Sequence, residues 1–144
     1  MAAGTVEATE LRIPADPEYI LVAKRAAAGM ASVAGLGLEA LDELTIAIAE
    51  ACERIIGVAA AEEMSDAQVR ITFRVQDDAL RVEVRLTGTR SRPRPRPLPR
   101  VSALAPTEAL DLAISMLSCF ADDVDYQAAG DGLVRVRLAK YRWR

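Results

Sequence analysis

Residues 42–56 read DELTIAIAEACERII. Leu44, Ile48, Cys52 and Ile55 recur at three- and four-residue steps, and Leu41 continues the series one turn earlier. That is the apolar stripe of an amphipathic helix, and the pattern predicts a helix over 39–61. Glu43, Glu50 and Arg54 make a separate polar stripe. Glu50 and Arg54 are four apart and share a face. The simplest reading is a surface ion pair, worth about 0.3–0.5 kcal/mol when exposed. The sharper reading is a helix that once carried chemistry.

Upstream, Leu11-Arg12-Ile13-Pro14 reads as a short edge strand stopped by proline. Asp16-Pro17-Glu18 is a helix start, with Asp16 as N-cap and Pro17 in the first helical position. The helix it opens is expected over 17–34, ending at Gly35 and Gly37. Tyr19, Val22 and Ala26 are assigned to its core face, and Lys24 and Arg25 to its outer face.

Downstream, 69–75 and 80–86 flank a turn at 76–79. Leu80, Val82, Val84 and Leu86 alternate with Arg81, Glu83 and Arg85, as in a hairpin with one wet face. Residues 87–100 read TGTRSRPRPRPLPR. Alternating prolines forbid helix and central strand, so this is expected as an extended loop. Thr107 is read as the cap of a third helix, with Leu110, Ile114, Leu117 and Phe120 on its apolar stripe. A second hairpin pairs 124–126 with 133–138 across a glycine-containing turn. Helices on one side of strands with one polar face predict an α/β, two-layer sandwich with a mostly antiparallel sheet. The 144 residues fit a single domain over 1–144.

Composition narrows the chemistry. There is no histidine, so histidine-based zinc sites, Ser-His-Asp triads and Cys-His nucleophiles are excluded. The two cysteines, Cys52 and Cys119, sit in apolar helical patterns and are read as buried thiols in a reducing compartment. No run approaches the ~20 apolar residues of a membrane span. The first ten residues lack a signal-peptide pattern, so the expected location is cytoplasmic, with no membrane partner. The net charge of −3 hides an asymmetry: residues 1–66 carry twelve acids against four bases, and residues 67–100 carry nine bases against three acids. Such polarity suits a charged protein partner better than nucleic acid. No aromatic residue interleaves with Arg90, Arg92, Arg94, Arg96 and Arg100, so base stacking has no support there.

The order of elements, together with DELTIAIAEACERII, resembles the bacterial anti-sigma factors that double as serine protein kinases, which belong to the GHKL-type ATPases. The resemblance covers nearly the whole chain. It implies the GHKL (histidine-kinase-like ATPase) fold. It also implies three nucleotide motifs. The first has the form Glu-Ala-x-x-Asn, in which the glutamate is the general base and the asparagine holds Mg²⁺. Here it reads Glu50-Ala51-Cys52-Glu53-Arg54. The base position is kept, but a guanidinium has no acceptor for a metal. The second, Asp-x-Gly-x-Gly, aligns with Leu86-Thr87-Gly88-Thr89-Arg90, leaving one glycine and no acid. The third, Gly-x-Gly-Leu at a helix N-terminus, aligns with Ala109-Leu110-Asp111-Leu112, with both glycines gone and Asp111 where phosphates would lie.

The resemblance therefore implies a vestigial nucleotide pocket at Glu50, Arg54, Gly88 and Asp111, with no metal and no cofactor expected. The segment 87–106 stands in place of the ATP lid. What the resemblance leaves is binding: sequestering an alternative sigma factor through a surface that includes Lys24 and Arg25, as a homodimer, relieved by an anti-anti-sigma factor. The alternatives are an active serine kinase using Mg-ATP to phosphorylate that anti-anti-sigma factor, and an interaction module with an unrelated partner.

Overall fold

A computed structural model of the chain describes residues 7–89, 106–129 and 132–142. Five strands form one antiparallel sheet: β1 (Ala8–Pro14), β2 (Gln68–Val75), β3 (Ala79–Thr87), β4 (Asp123–Ala129) and β5 (Gly132–Tyr141). Their spatial order is β1-β2-β3-β5-β4, so the last strand is inserted between β3 and β4. Three helices cover one face: α1 (Ile20–Val33), α2 (Leu38–Ala61) and α3 (Pro106–Phe120). α1 lies towards β1 and β2, α2 over β3 and β5, and α3 beside α2 against β4. This is the two-layer α/β sandwich expected from the pattern.

The predicted stripe of α2 is its buried face. Leu44, Ile48, Cys52 and Ile55 are fully buried, and Leu41 packs at the rim. They meet Ile71, Phe73, Leu80, Val84 and Val136 from the sheet. Complete burial of each large aliphatic side chain contributes about 1.5–3 kcal/mol. Burial pushes the Cys52 thiol up to about 12, which leaves it an inert core group.

β1 sits at the sheet edge, where Pro14 removes no ladder bond from the interior. Asp16 caps as expected, accepting from the Glu18 amide at 3.0 Å, but residues Pro17–Tyr19 form a 3₁₀ turn before α1 begins. Gly35, at φ +76°, closes α1: its amide donates to Ser32 and the Leu36 amide donates back to Ala31. α2 ends in the same motif, with Glu63 in the left-handed position at φ +52°. The Met64 amide there reaches Ala59, and the Glu63 amide reaches Ala60.

Several expectations differ from the structure. The core face of α1 is Ala23, Ala27 and Ala31, while Tyr19 and Val22 are 41% and 44% exposed and Ala26 is half-buried. Alanines four apart give a flat surface on which α1 and α2 approach closely, so the bulkier residues are turned outward. Cys119 is exposed because the buried positions of α3 are Ala113 and Leu117, and two residues beyond Leu117 lies on the opposite side of a helix. α3 begins at Pro106, one residue before Thr107. Strands β1, β4 and β5 are each longer than their apolar cores suggested. The Arg-Pro stretch expected as a loop lies, over 90–105, outside the described residues.

Among the described residues, one charge is buried in the apolar layer. Lys140 of β5 points to the helix side, 5% exposed, and its Nζ donates to Glu43 Oε2 of α2 at 2.7 Å.

Candidate functional site

One side of the second half of α2, next to its buried face, forms one wall of a cleft of ≈ 580 Å³. Arg54, Gly57, Val58, Ala61 and Glu62 repeat at three- and four-residue steps, so the wall is the polar stripe of the helix continued by two turns. Ala109 and Leu110 at the start of α3 form the second wall, and Ala129, Gly132 and Leu133 of the terminal hairpin form the third. Gly132 is needed where it stands: a Cβ there would lie 2.1 Å from Val58 Cγ2. Val58, Leu110 and Leu133 make the cleft largely apolar, with Glu53, Arg54 and Glu62 at its polar side.

Glu50 and Arg54 are joined. Arg54 Nε donates to Glu50 Oε1 at 2.9 Å, with Glu50 11% exposed and Arg54 44% exposed. Arg54 lines the cleft, whereas Glu50 lies one turn back and is tied up by the arginine.

The other two residues assigned to the pocket lie apart from this pair. Gly88, at φ +131°, lies against the α2–β2 connection, where a Cβ would come 3.0 Å from the Asp66 carbonyl oxygen. The neighbouring Thr89 amide donates to Asp66 Oδ2 at 2.9 Å. That bond holds the Asp66 carboxyl below its ordinary value. Leu86, two residues earlier, packs against the core. Asp111 is exposed on α3 and does not line the cleft; its neighbours Ala109 and Leu110 do. The acids at the cleft are Glu53 and Glu62, which sequence reasoning missed although the helical repeat from Glu50 and Arg54 reaches them. Gly132 was also missed, and nothing local in the sequence marks its close approach to α2.

Lys24 and Arg25 are exposed on the outer side of α1, beside Leu21 at 56% and Val22 at 44% exposure. They share an apolar surface with cations at its edge, on the far side of α1 from the alanine face. Among the described residues, no helix is long and apolar enough to cross a membrane.

Comparison with known proteins gives one family. Residues 13–140 match the histidine kinase-like ATPase domain. The serine-protein kinase RsbW of Bacillus pumilus is 35% identical over 81 residues, 56% of this chain and 50% of the relative. The Listeria innocua protein of the same name is 34% identical over 79 residues, 55% of this chain and 50% of the relative. The Bacillus cereus protein is 32% identical over 82 residues, 57% of this chain and 50% of the relative. The aligned part thus spans about half the length of these curated relatives. The match over 13–140, laid on a five-stranded antiparallel sheet under three helices, carries the assignment: this chain belongs to the histidine kinase-like ATPase domain family.

Proposed function

We propose that this chain is a non-catalytic anti-sigma factor, a cytoplasmic protein that sequesters an alternative sigma factor by protein–protein binding. The observation that carries the reading is the Arg54–Glu50 pair at 2.9 Å. A permanent cation stands at the position where the family resemblance asks for a metal ligand, and it occupies the carboxylate that would serve as base. The donor set does not fit Mg-ATP. Leu86, packed against the core and in place of an adenine-binding acid, supports the same conclusion. In this reading the chain is one domain over 1–144, and 87–106 replaces the nucleotide lid. Lys24 and Arg25 contact the sigma factor together with exposed Leu21 and Val22, an anti-anti-sigma factor competes for that surface, and the protein acts as a homodimer.

A second reading keeps a specific observation: the relatives are named serine-protein kinases, and Glu50 is retained. An active kinase would phosphorylate the anti-anti-sigma factor. Isothermal titration with Mg-ATP separates the two. The non-catalytic reading expects no binding heat; micromolar binding abolished in Glu50→Ala would overturn it. Co-purification from the native bacterium tests the partner. A sigma factor should be retained by the wild-type chain and lost with Lys24→Glu/Arg25→Glu. Its absence from the wild-type eluate would favour an interaction module of another kind.

A further inference from the structure

The face of the sheet turned away from the helices carries a row of arginines that no local sequence pattern shows. Arg12 of β1 stands opposite Arg70 of β2, Arg70 opposite Arg85 of β3, and Arg85 opposite Arg135 of β5. Four like charges lie side by side across four adjacent strands, spanning about 14 Å at the usual strand spacing. Like charges directly opposite on a sheet repel. Arg135 is partly relieved by Glu83 at 2.8 Å, and the same carboxylate also takes Arg137 at 3.1 Å. Among the described residues Arg12, Arg70 and Arg85 have no ion pair, and the Arg70 Nε is shut away from solvent with no acceptor. Among the described residues only Arg135 of this row has an ion-pair partner, so an anionic surface laid on the row would offset the repulsion at the other three.

We propose that this open sheet face is a docking surface for an acidic helical segment of a protein partner, seated along Arg12, Arg70, Arg85 and Arg135. Charge complementarity selects the occupant. Carboxylates on one helix face recur every three to four residues, so four of them extend about 16 Å, close to the length of the row. A nucleic acid fits less well. The next row of the same face is Glu10, Thr72, Glu83, Arg137 and Asp125, three acids against one base, and its net negative charge disfavours a long phosphate backbone. The Arg81 guanidinium lies 5.8 Å from the centroid of the Tyr141 ring on this face. The chain's own segments beyond the described residues do not supply a row of acids: residues 1–6, 90–105 and 143–144 contain none, and Asp131 is a single carboxylate in the β4–β5 turn sequence. The same face of a second copy would set arginine against arginine.

The test is fluorescence anisotropy with a labelled alanine-based helical peptide carrying glutamate at every fourth position, titrated with the full chain. Binding should weaken with salt and fall at least about tenfold in Arg70→Glu/Arg85→Glu. That variant relieves like-charge repulsion, so its thermal midpoint should equal or exceed that of the wild type; should it fail to fold, Arg12→Ala on the exposed edge strand carries the same comparison. Equal peptide affinity for wild type and variant would overturn the proposal. So would tighter binding of an oligothymidine than of the peptide, or a wild-type self-association in sedimentation that the variant abolishes.

Discussion

The two faces of the sheet are built from the same strands, one residue out of phase, and they are solved in opposite ways. The helix-covered face is largely apolar and buried at its centre, and among the described residues its one buried charge, Lys140, has its own partner in Glu43. The open face is a lattice of charges in which Glu83 serves two arginines while Arg12, Arg70 and Arg85 go without an ion pair among the described residues. Burial holds the first face together, and its energy is internal. On the second face Glu83 relieves Arg135 and Arg137, and in the proposed reading a partner relieves the rest. Stability and recognition are thus separated by the two-residue period of a strand.

The contrast can be broken first at its strongest point. Ile48→Ala empties a fully buried site beneath the helix layer and should lower stability by about 3 kcal/mol, read by urea unfolding. Glu43→Ala comes next. It strands the Lys140 ammonium on the apolar face and should cost about 2 kcal/mol, less than a fully buried pair because Glu43 is 30% exposed. Lys140→Met, which removes the charge and keeps the volume, should be nearly neutral in the same assay; an equal loss in both variants would mean that the pair, and not the unpaired charge, carries the energy.

On the open face the effect is smaller and depends on pH. Burial raises the Glu83 pKa, but hydrogen bonds and charge from Arg135 and Arg137 outweigh it and hold the carboxyl below its ordinary 4.5. A depressed folded pKa means that the stabilisation is complete above the ordinary value and lost as pH falls through the lowered one. Glu83→Gln should therefore cost about 1 kcal/mol at neutral pH, and the gap from wild type should close as the pH is taken below 4.5. The smallest effect has the opposite sign. Glu63 holds a left-handed backbone at φ +52°, so Glu63→Gly should raise stability by about 0.5 kcal/mol.

The helix-side face was largely legible in the sequence because burial writes a local period. Leu44, Ile48, Cys52 and Ile55 announced α2, and the alternation from Leu80 to Leu86 announced β3. The same rule misassigned α1, where Tyr19 and Val22 outrank alanine in hydrophobicity yet the contact requires small residues. The arginine row was invisible for a different reason. Arg70 and Arg85 face each other across the β2–β3 hairpin, but Arg12 and Arg135 complete the row only because β1 pairs with β2 and β5 with β3, a fact of strand order. Of the pocket residues, Glu50 and Arg54 were found together because a helix turn is local. The placement of Gly88 against Asp66 and of Asp111 outside the cleft depends on where connections run.

The position of β5 also governs how the chain can be made. Leu133, Val136 and Leu138 complete the floor on which α2 rests, and Lys140 meets a carboxylate ninety-seven residues earlier. During synthesis, α1, α2 and the β2–β3 hairpin emerge long before that floor exists. The apolar stripe of α2 and the free edge of β3 then wait for the final strand, and exposed edges of this kind invite pairing with other chains. Completion of the core beneath α2 therefore waits on residues 132–141, the last sheet strand among the described residues.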